Sequence, residues 1–180
     1  MKNPFAFTTG ELVTIGLFAG AAKAASLVVA LMGGGMNPIT LILKNAVWAA
    51  LWMILLIKVQ RPGTLTLANL VAALLGLFLL GSAMLSLPGI IAACILTEII
   101  MLAMTPVSNR VLVAAMGVAL SELLTRGVSI FISYLKVREQ PELLIPGLII
   151  VAIGYIGIIV GLFGGGRMVK ELRHAGLIQN

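Results

Sequence analysis

The sequence predicts an all-α integral membrane protein: one bundle of six transmembrane helices with both termini in the cytoplasm. Three observations carry this expectation. Hydrophobic residues fill 61% of the 180 positions and charged residues only 10%, against roughly 25% charged in soluble domains, so a water-soluble fold has nowhere to hide the apolar surface. The charges are gathered in short stretches between long uncharged runs, which organises the apolar excess into spans. Basic residues favour the tails and one set of loops, the asymmetry of cytoplasmic segments.

The spans read as 12–32, 39–59, 65–85, 89–105, 111–135 and 143–164, each close to the ~20 residues that cross a bilayer. Turn chemistry separates them: Gly33-Gly34-Gly35 with Asn37-Pro38, then Arg61-Pro62-Gly63, Leu87-Pro88-Gly89, Thr105-Pro106, Gln140-Pro141, and a closing Gly164-Gly165-Gly166. The fourth span is the shortest. No A-x-A cleavage site follows the first apolar stretch, so it is read as a retained helix. The whole chain forms a single domain, with 167–180 as a basic cytoplasmic tail. With both termini inside, Lys2, Lys58, Arg61, Arg110, Arg167, Lys170 and Arg173 lie inside, while Lys136 and Arg138 lie outside beside Glu139 and Glu142. This topology accounts for the net charge of +6 without nucleic acid as a partner. The single cysteine, Cys94, sits in an apolar run, which excludes a disulfide framework and makes a buried thiol the default.

Five ionisable residues fall inside spans: Lys23, Lys44, Glu98, Glu122 and Arg126. A charge in hydrocarbon is costly, so each is expected to face the bundle interior or a wet cavity and to have a partner. Glu122 and Arg126 are four apart and can pair on one helix face, beside a polar stripe of Ser121, Thr125, Ser129 and Ser133. That stripe is either an internal salt bridge with hydroxyls bonded back to helix carbonyls, or the polar wall of a ligand cavity. Glu98 shares a face with Cys94, Met101 and Thr105. It is a protonated structural acid, a partner for Lys23, Lys44 or Arg126, or an acceptor for a ligand. Lys44 either snorkels to the interface or stands above Trp48 and Trp52 to meet a planar anionic solute. Lys23 is flanked by Gly16, Gly20 and Ala24, with Ala21 and Ala25 as an alternative ridge. This small-residue ridge serves packing within the bundle or docking of a separate membrane protein. The tail around His174 reads as a short basic helix anchored at an anionic leaflet.

No phosphate-binding G-x-x-x-x-G-K-[ST] loop occurs, nor H-E-x-x-H, nor G-x-S-x-G, nor a Cys/His cluster for metal. The chain therefore carries no ATPase of its own, and no cofactor or metal is expected.

The opening FTTGELVTIGLFAGAAKAA, the loop MGGGMNP, the turn KVQRPG and the ending GLFGGGRMVKELRHAGL resemble the S components of energy-coupling factor transporters, ATP-driven importers of micronutrients in prokaryotes, and within them the Trep_Strep branch. The likeness covers nearly the whole chain. It implies a substrate-binding subunit in the prokaryotic cytoplasmic membrane, working with a transmembrane coupling subunit (the T component) and two cytoplasmic ATPases. It further implies an outward-facing pocket, with Lys44, Trp48, Glu98, Met101, Glu122, Arg126, Ser129 and Ser133 as candidate substrate-binding residues. The lid would be Gly33, Gly34, Gly35 and Asn37. The family's A-x-x-x-A ridge toward the coupling subunit falls on Gly16, Gly20 and Ala24, with glycine at two of the three positions. The substrate is expected to be a small organic micronutrient, vitamin-like or, given nine methionines, a flat tetrapyrrole-like molecule. The rival readings are an intramembrane lipid-modifying enzyme using Glu98 or Glu122 as acid or base and a non-transporting scaffold whose polar residues specify helix pairing.

Overall fold

The computed structural model describes residues 6–33, 37–80, 87–105, 108–136 and 144–176. Six helices follow in order: α1 Thr9–Gly33, α2 Pro38–Lys58, α3 Thr64–Leu80, α4 Leu87–Met104, α5 Arg110–Lys136 and α6 Leu144–His174. Five are long and apolar enough to cross a membrane, and α3 is apolar but shorter, with 17 residues or ~25 Å of helix. The chain is thus a helical, multi-pass membrane bundle. Leu31, Phe78 and Phe163 are among the large apolar side chains that point outward, as lipid-facing positions do.

Local signals explain the helix starts. Thr8 and Glu11 form a reciprocal capping box, with Thr8 N–H donating to Glu11 Oε2 at 2.7 Å and Glu11 N–H to Thr8 Oγ1 at 3.3 Å. Asn37 caps α2 by accepting from Ile39 N–H at 3.0 Å, and Pro38 occupies the first turn, where its missing N–H costs nothing. Between α2 and α3, Arg61-Pro62-Gly63 makes a tight turn closed by Thr64 N–H to the Arg61 carbonyl, with Gly63 at φ +91°.

Neighbouring contacts fix the direction of each helix. Glu11 meets Arg61, Leu65 and Thr66 meet Glu98, Arg110 meets Gln60, and Met101 lies against Gly117. The beginnings of α1, α3 and α5 and the ends of α2, α4 and α6 therefore share one end of the bundle, called basal here. It carries Lys58, Arg61, Arg110, Arg167, Lys170 and Arg173.

The most extensive helix pair is α2 with α6, which run parallel. Gly157, Gly161 and Gly165 on α6 lie against Ile42, Ala46 and Ala50 on α2, four residues apart on both helices. A Cβ at Gly157 or Gly161 would run into the backbone carbonyl of Ile42 or Ala46, and one at Gly165 would come within 3.0 Å of Ala50 Cα. Lipid tails are as apolar as leucine, so helices in a bilayer associate through close packing, and small residues at four-residue spacing permit it. The core continues through Ile15, Ala19 and Ala22 of α1, Trp52 and Leu55 of α2, Leu65, Ala68 and Ala72 of α3, Val118 of α5 and Ile158 of α6.

Two boundaries differ from the sequence expectation. Gly164-Gly165-Gly166 is not a break: α6 runs through it to His174, because Gly165 is a packing residue against α2 and Val169 beyond it is buried. Residues 167–174 of the basic tail are the last turns of a 31-residue helix and not a separate one. Leu87-Pro88-Gly89 is likewise the first turn of α4, where proline is tolerated.

Gly161→Ala is expected to lower the melting temperature in detergent, by about 1–3 kcal/mol of lost stability, because the methyl group meets backbone that cannot move aside. Gly164→Ala, which faces open space, is expected to be neutral or to stabilise by up to about 1 kcal/mol. Equal effects of the two substitutions would contradict the seam.

Candidate functional site

Two polar centres lie at different depths. The deeper one from the basal end joins α2, α5 and α6. Its hub is Asn45, buried on α2, whose Nδ2 donates to the Gly154 carbonyl at 3.0 Å while its Oδ1 accepts from Arg126 Nη2 at 3.1 Å. Arg126 Nε lies 3.3 Å from Glu122 Oε2, an i,i+4 ion pair without hydrogen-bond geometry, so Nε itself makes no hydrogen bond among the described residues. Gly154 is required here: a Cβ would stand 2.8 Å from Asn45 Nδ2 and 3.2 Å from Arg126 Nη1. By helix rise, Lys23 and Arg126 sit ~20–25 Å from the basal end, beyond the middle of the span.

An aromatic pair flanks this chain. Trp48 and Trp52 stack with centroids 3.9 Å apart, and Lys23 Nζ stands 5.7 Å from a Trp48 ring centroid. The cation over Trp48 is thus Lys23 from α1, and Lys44 is exposed, which fits the snorkelling reading of Lys44 and not the one that placed it over the aromatic face. The helical offset explains it: the stack turns the Trp48 ring toward α1, and the long Lys44 stem reaches outward. Both indole N–H groups are buried without an acceptor among the described residues. Tyr155 of α6 donates to the Ala119 carbonyl of α5 at 3.3 Å.

The second centre is nearer the basal end, about 9 Å inside it by helix rise. Glu98 Oε1 accepts from the Leu65 and Thr66 N–H groups at 2.8 and 3.1 Å, and Oε2 accepts from Thr66 Oγ1 at 2.9 Å. The carboxylate of α4 therefore caps the start of α3, where free N–H groups and the positive end of the helix dipole attract it. Of the alternatives open for Glu98, the partner is the backbone of α3 and neither Lys23, Lys44 nor Arg126. Below it opens a cavity of about 200 Å³. Its walls are Leu56 of α2 and Val59 just after it, Glu98, Met101 and Leu102 of α4, and Val113 and Ala114 of α5; its rim is Gln60, Arg61, Pro62, Thr105 and Arg110. Arg61 is held by Glu11 at 2.6 Å, and Arg110 donates to the Gln60 side-chain oxygen.

The structure accordingly divides the predicted substrate-binding residues. Trp48, Glu122 and Arg126 belong to the deeper centre, with Lys44 at its edge. Glu98 and Met101 belong to the basal cavity. Ser129 is exposed and bonds back to the Thr125 carbonyl at 2.9 Å, as does Ser121 to Val118; the Ser133 side chain lies outside the described residues. Of the expected lid, Gly34 and Gly35 also lie outside them, Gly33 ends α1, and Asn37 is a helix cap. Cys94 is buried, as expected. Gly16 and Gly20 have nothing within 4 Å of a Cβ position, and Ala24 is exposed, so this ridge faces away from the bundle. Sequence reasoning missed Asn45 as hub, Thr66 as partner of Glu98, and Glu11 with Arg61. The visible signal for the first was an asparagine beside Lys44 within an apolar span; for the others, nothing local marks the pairing.

No protein family matches the chain, and no curated protein or solved structure matches it significantly.

Glu98→Ala is expected to destabilise the protein by about 1–2 kcal/mol through loss of the α3 cap, with Glu98→Gln intermediate because its amide oxygen still accepts. Thermal unfolding of both variants checks this; no change in either would leave Glu98 without its capping role.

Proposed function

We propose that the chain is the substrate-binding subunit of an energy-coupling factor importer, capturing a small organic anion at the deeper polar centre. The observation that carries this reading is an imbalance. Lys23, Lys44 and Arg126 act on that region with Glu122 as their described countercharge, and the buried groups there without a hydrogen-bond acceptor among the described residues, the Trp48 and Trp52 N–H and, beside its ion pair with Glu122, Arg126 Nε, are all donors. Buried polar groups are normally satisfied, so a site with surplus cations and surplus donors suits a carboxylate-bearing solute with a flat apolar body. The stacked indoles supply the flat surface. An outward-facing ridge of Gly16, Gly20 and Ala24 fits the coupling subunit that the resemblance implies, with ATP hydrolysed by the two cytoplasmic partners.

A second reading rests on the Glu122–Arg126–Asn45–Gly154 chain, which joins three helices by itself. In that reading the polar residues specify helix pairing and hold no solute.

Native mass spectrometry of protein extracted from its source membrane separates the two. Solute capture predicts a retained acidic organic molecule, with Lys23→Gln weakening retention about tenfold, the loss of one charge-assisted bond, at unchanged thermal stability. The pairing reading predicts no small molecule, and Asn45→Ala lowering stability alone. Gly20→Leu, which enters open space, is expected to leave the bundle folded and to abolish copurification with the coupling subunit and ATPases. Absence of those partners from the unaltered protein would remove the importer assignment.

A further inference from the structure

We propose that the basal cavity between α2, α4 and α5 binds an anionic phospholipid, its phosphate on Arg110 and an acyl chain against Leu56, Met101 and Val113. The charges around the cavity lead to this assignment. Glu98 spends both oxygens on the start of α3. Arg61 is neutralised by Glu11 at 2.6 Å. Arg110 is left at the rim with the neutral Gln60 side chain as its described partner and no carboxylate within ion-pair distance among the described residues, so a guanidinium free to meet an anion stands above mostly apolar walls.

A small soluble anion would use the cation and gain nothing from the walls. An apolar molecule would fill the walls and leave the guanidinium unused. A molecule with an anionic head and an alkyl chain satisfies both, and the bilayer supplies it locally. The cavity is open to that source: Leu102 lines it and is 51% exposed on the flank of α4, and Thr105 on the rim is exposed. The depth is also suitable, since the rim lies at the basal helix ends, where Lys58, Arg167, Lys170 and Arg173 add to the field that draws anionic headgroups. The assignment is independent of solute capture at the other centre.

The test reconstitutes the protein into vesicles of equal parts phosphatidylcholine and phosphatidylglycerol, extracts it mildly, and weighs the retained lipid by native mass spectrometry. Phosphatidylglycerol is expected to be retained in preference to phosphatidylcholine. Arg110→Ala is expected to lower its retention about fivefold, the worth of one interfacial arginine, and Arg110→Lys to restore part of it. Gln60→Leu removes the partner of Arg110 and keeps the cation; it is expected to retain the lipid as the unaltered protein does. Both residues are exposed, and circular dichroism confirms folding of each variant. Equal retention of the two lipids, no loss in Arg110→Ala, or an equal loss in Gln60→Leu overturns the proposal. So does displacement of the lipid by millimolar inorganic phosphate, which would make this a small-anion site.

Discussion

The parallel seam between α2 and α6 is the constraint from which the rest of the bundle follows. Gly157, Gly161 and Gly165 bring the α6 axis so near α2 that backbone meets backbone at Ile42, Ala46 and Ala50. Dispersion falls steeply with distance, and no hydrophobic force joins helices in lipid, so this proximity is what gives the pair its stability. The same approach brings the Gly154 carbonyl within reach of Asn45, and Asn45 within reach of Arg126 on α5. A side chain on any of these glycines would separate the helices and strand the asparagine. Packing and polar chemistry here are one arrangement.

In hydrocarbon, water is not available to finish a hydrogen-bond set, so each buried polar group must find its partner in the protein. Glu98 shows how far this reaches. Its position within α4 invites a search for a cation, yet the carboxylate meets the first N–H groups of α3, a helix whose start is recessed from the basal end of α4. A short helix inside a bilayer exposes four unpaired donors at its beginning. An acid from the next helix removes that cost by accepting from those donors. The acid and the recessed start thus explain each other.

The architecture was largely legible, because long apolar runs, Pro and Gly punctuation and the basic bias are local signals. Asn37-Pro38 and Arg61-Pro62-Gly63 mark a helix start and a turn by their own backbone chemistry. The Glu122–Arg126 pair was equally readable, since a four-residue spacing within one helix determines it. Where the reading failed, the deciding partner lay on another helix. Three consecutive glycines looked like a break until α2 was seen against Gly165. Lys44 is exposed, as its snorkelling reading had it, and what the sequence did not show is that Lys23, 25 positions before Trp48, stands over the ring. Periodicity reports which side a residue is on, and only the pairing of helices reports what it meets there.

The two polar centres differ in how completely they are satisfied. At Glu98, two oxygens meet three donors, and the geometry is closed. At Arg126, one guanidinium edge reaches Asn45, the Glu122 contact is poorly aligned, and two indole N–H groups nearby on α2 point at no acceptor. A purely structural cluster gains nothing by leaving donors buried and idle, since each such group costs about 1–3 kcal/mol. A binding site does gain, because the donors keep their worth for the ligand and their unmet state sharpens discrimination against solutes lacking an acceptor. The deeper centre is therefore the less completely satisfied of the two among the described residues, and what it lacks is hydrogen-bond acceptors.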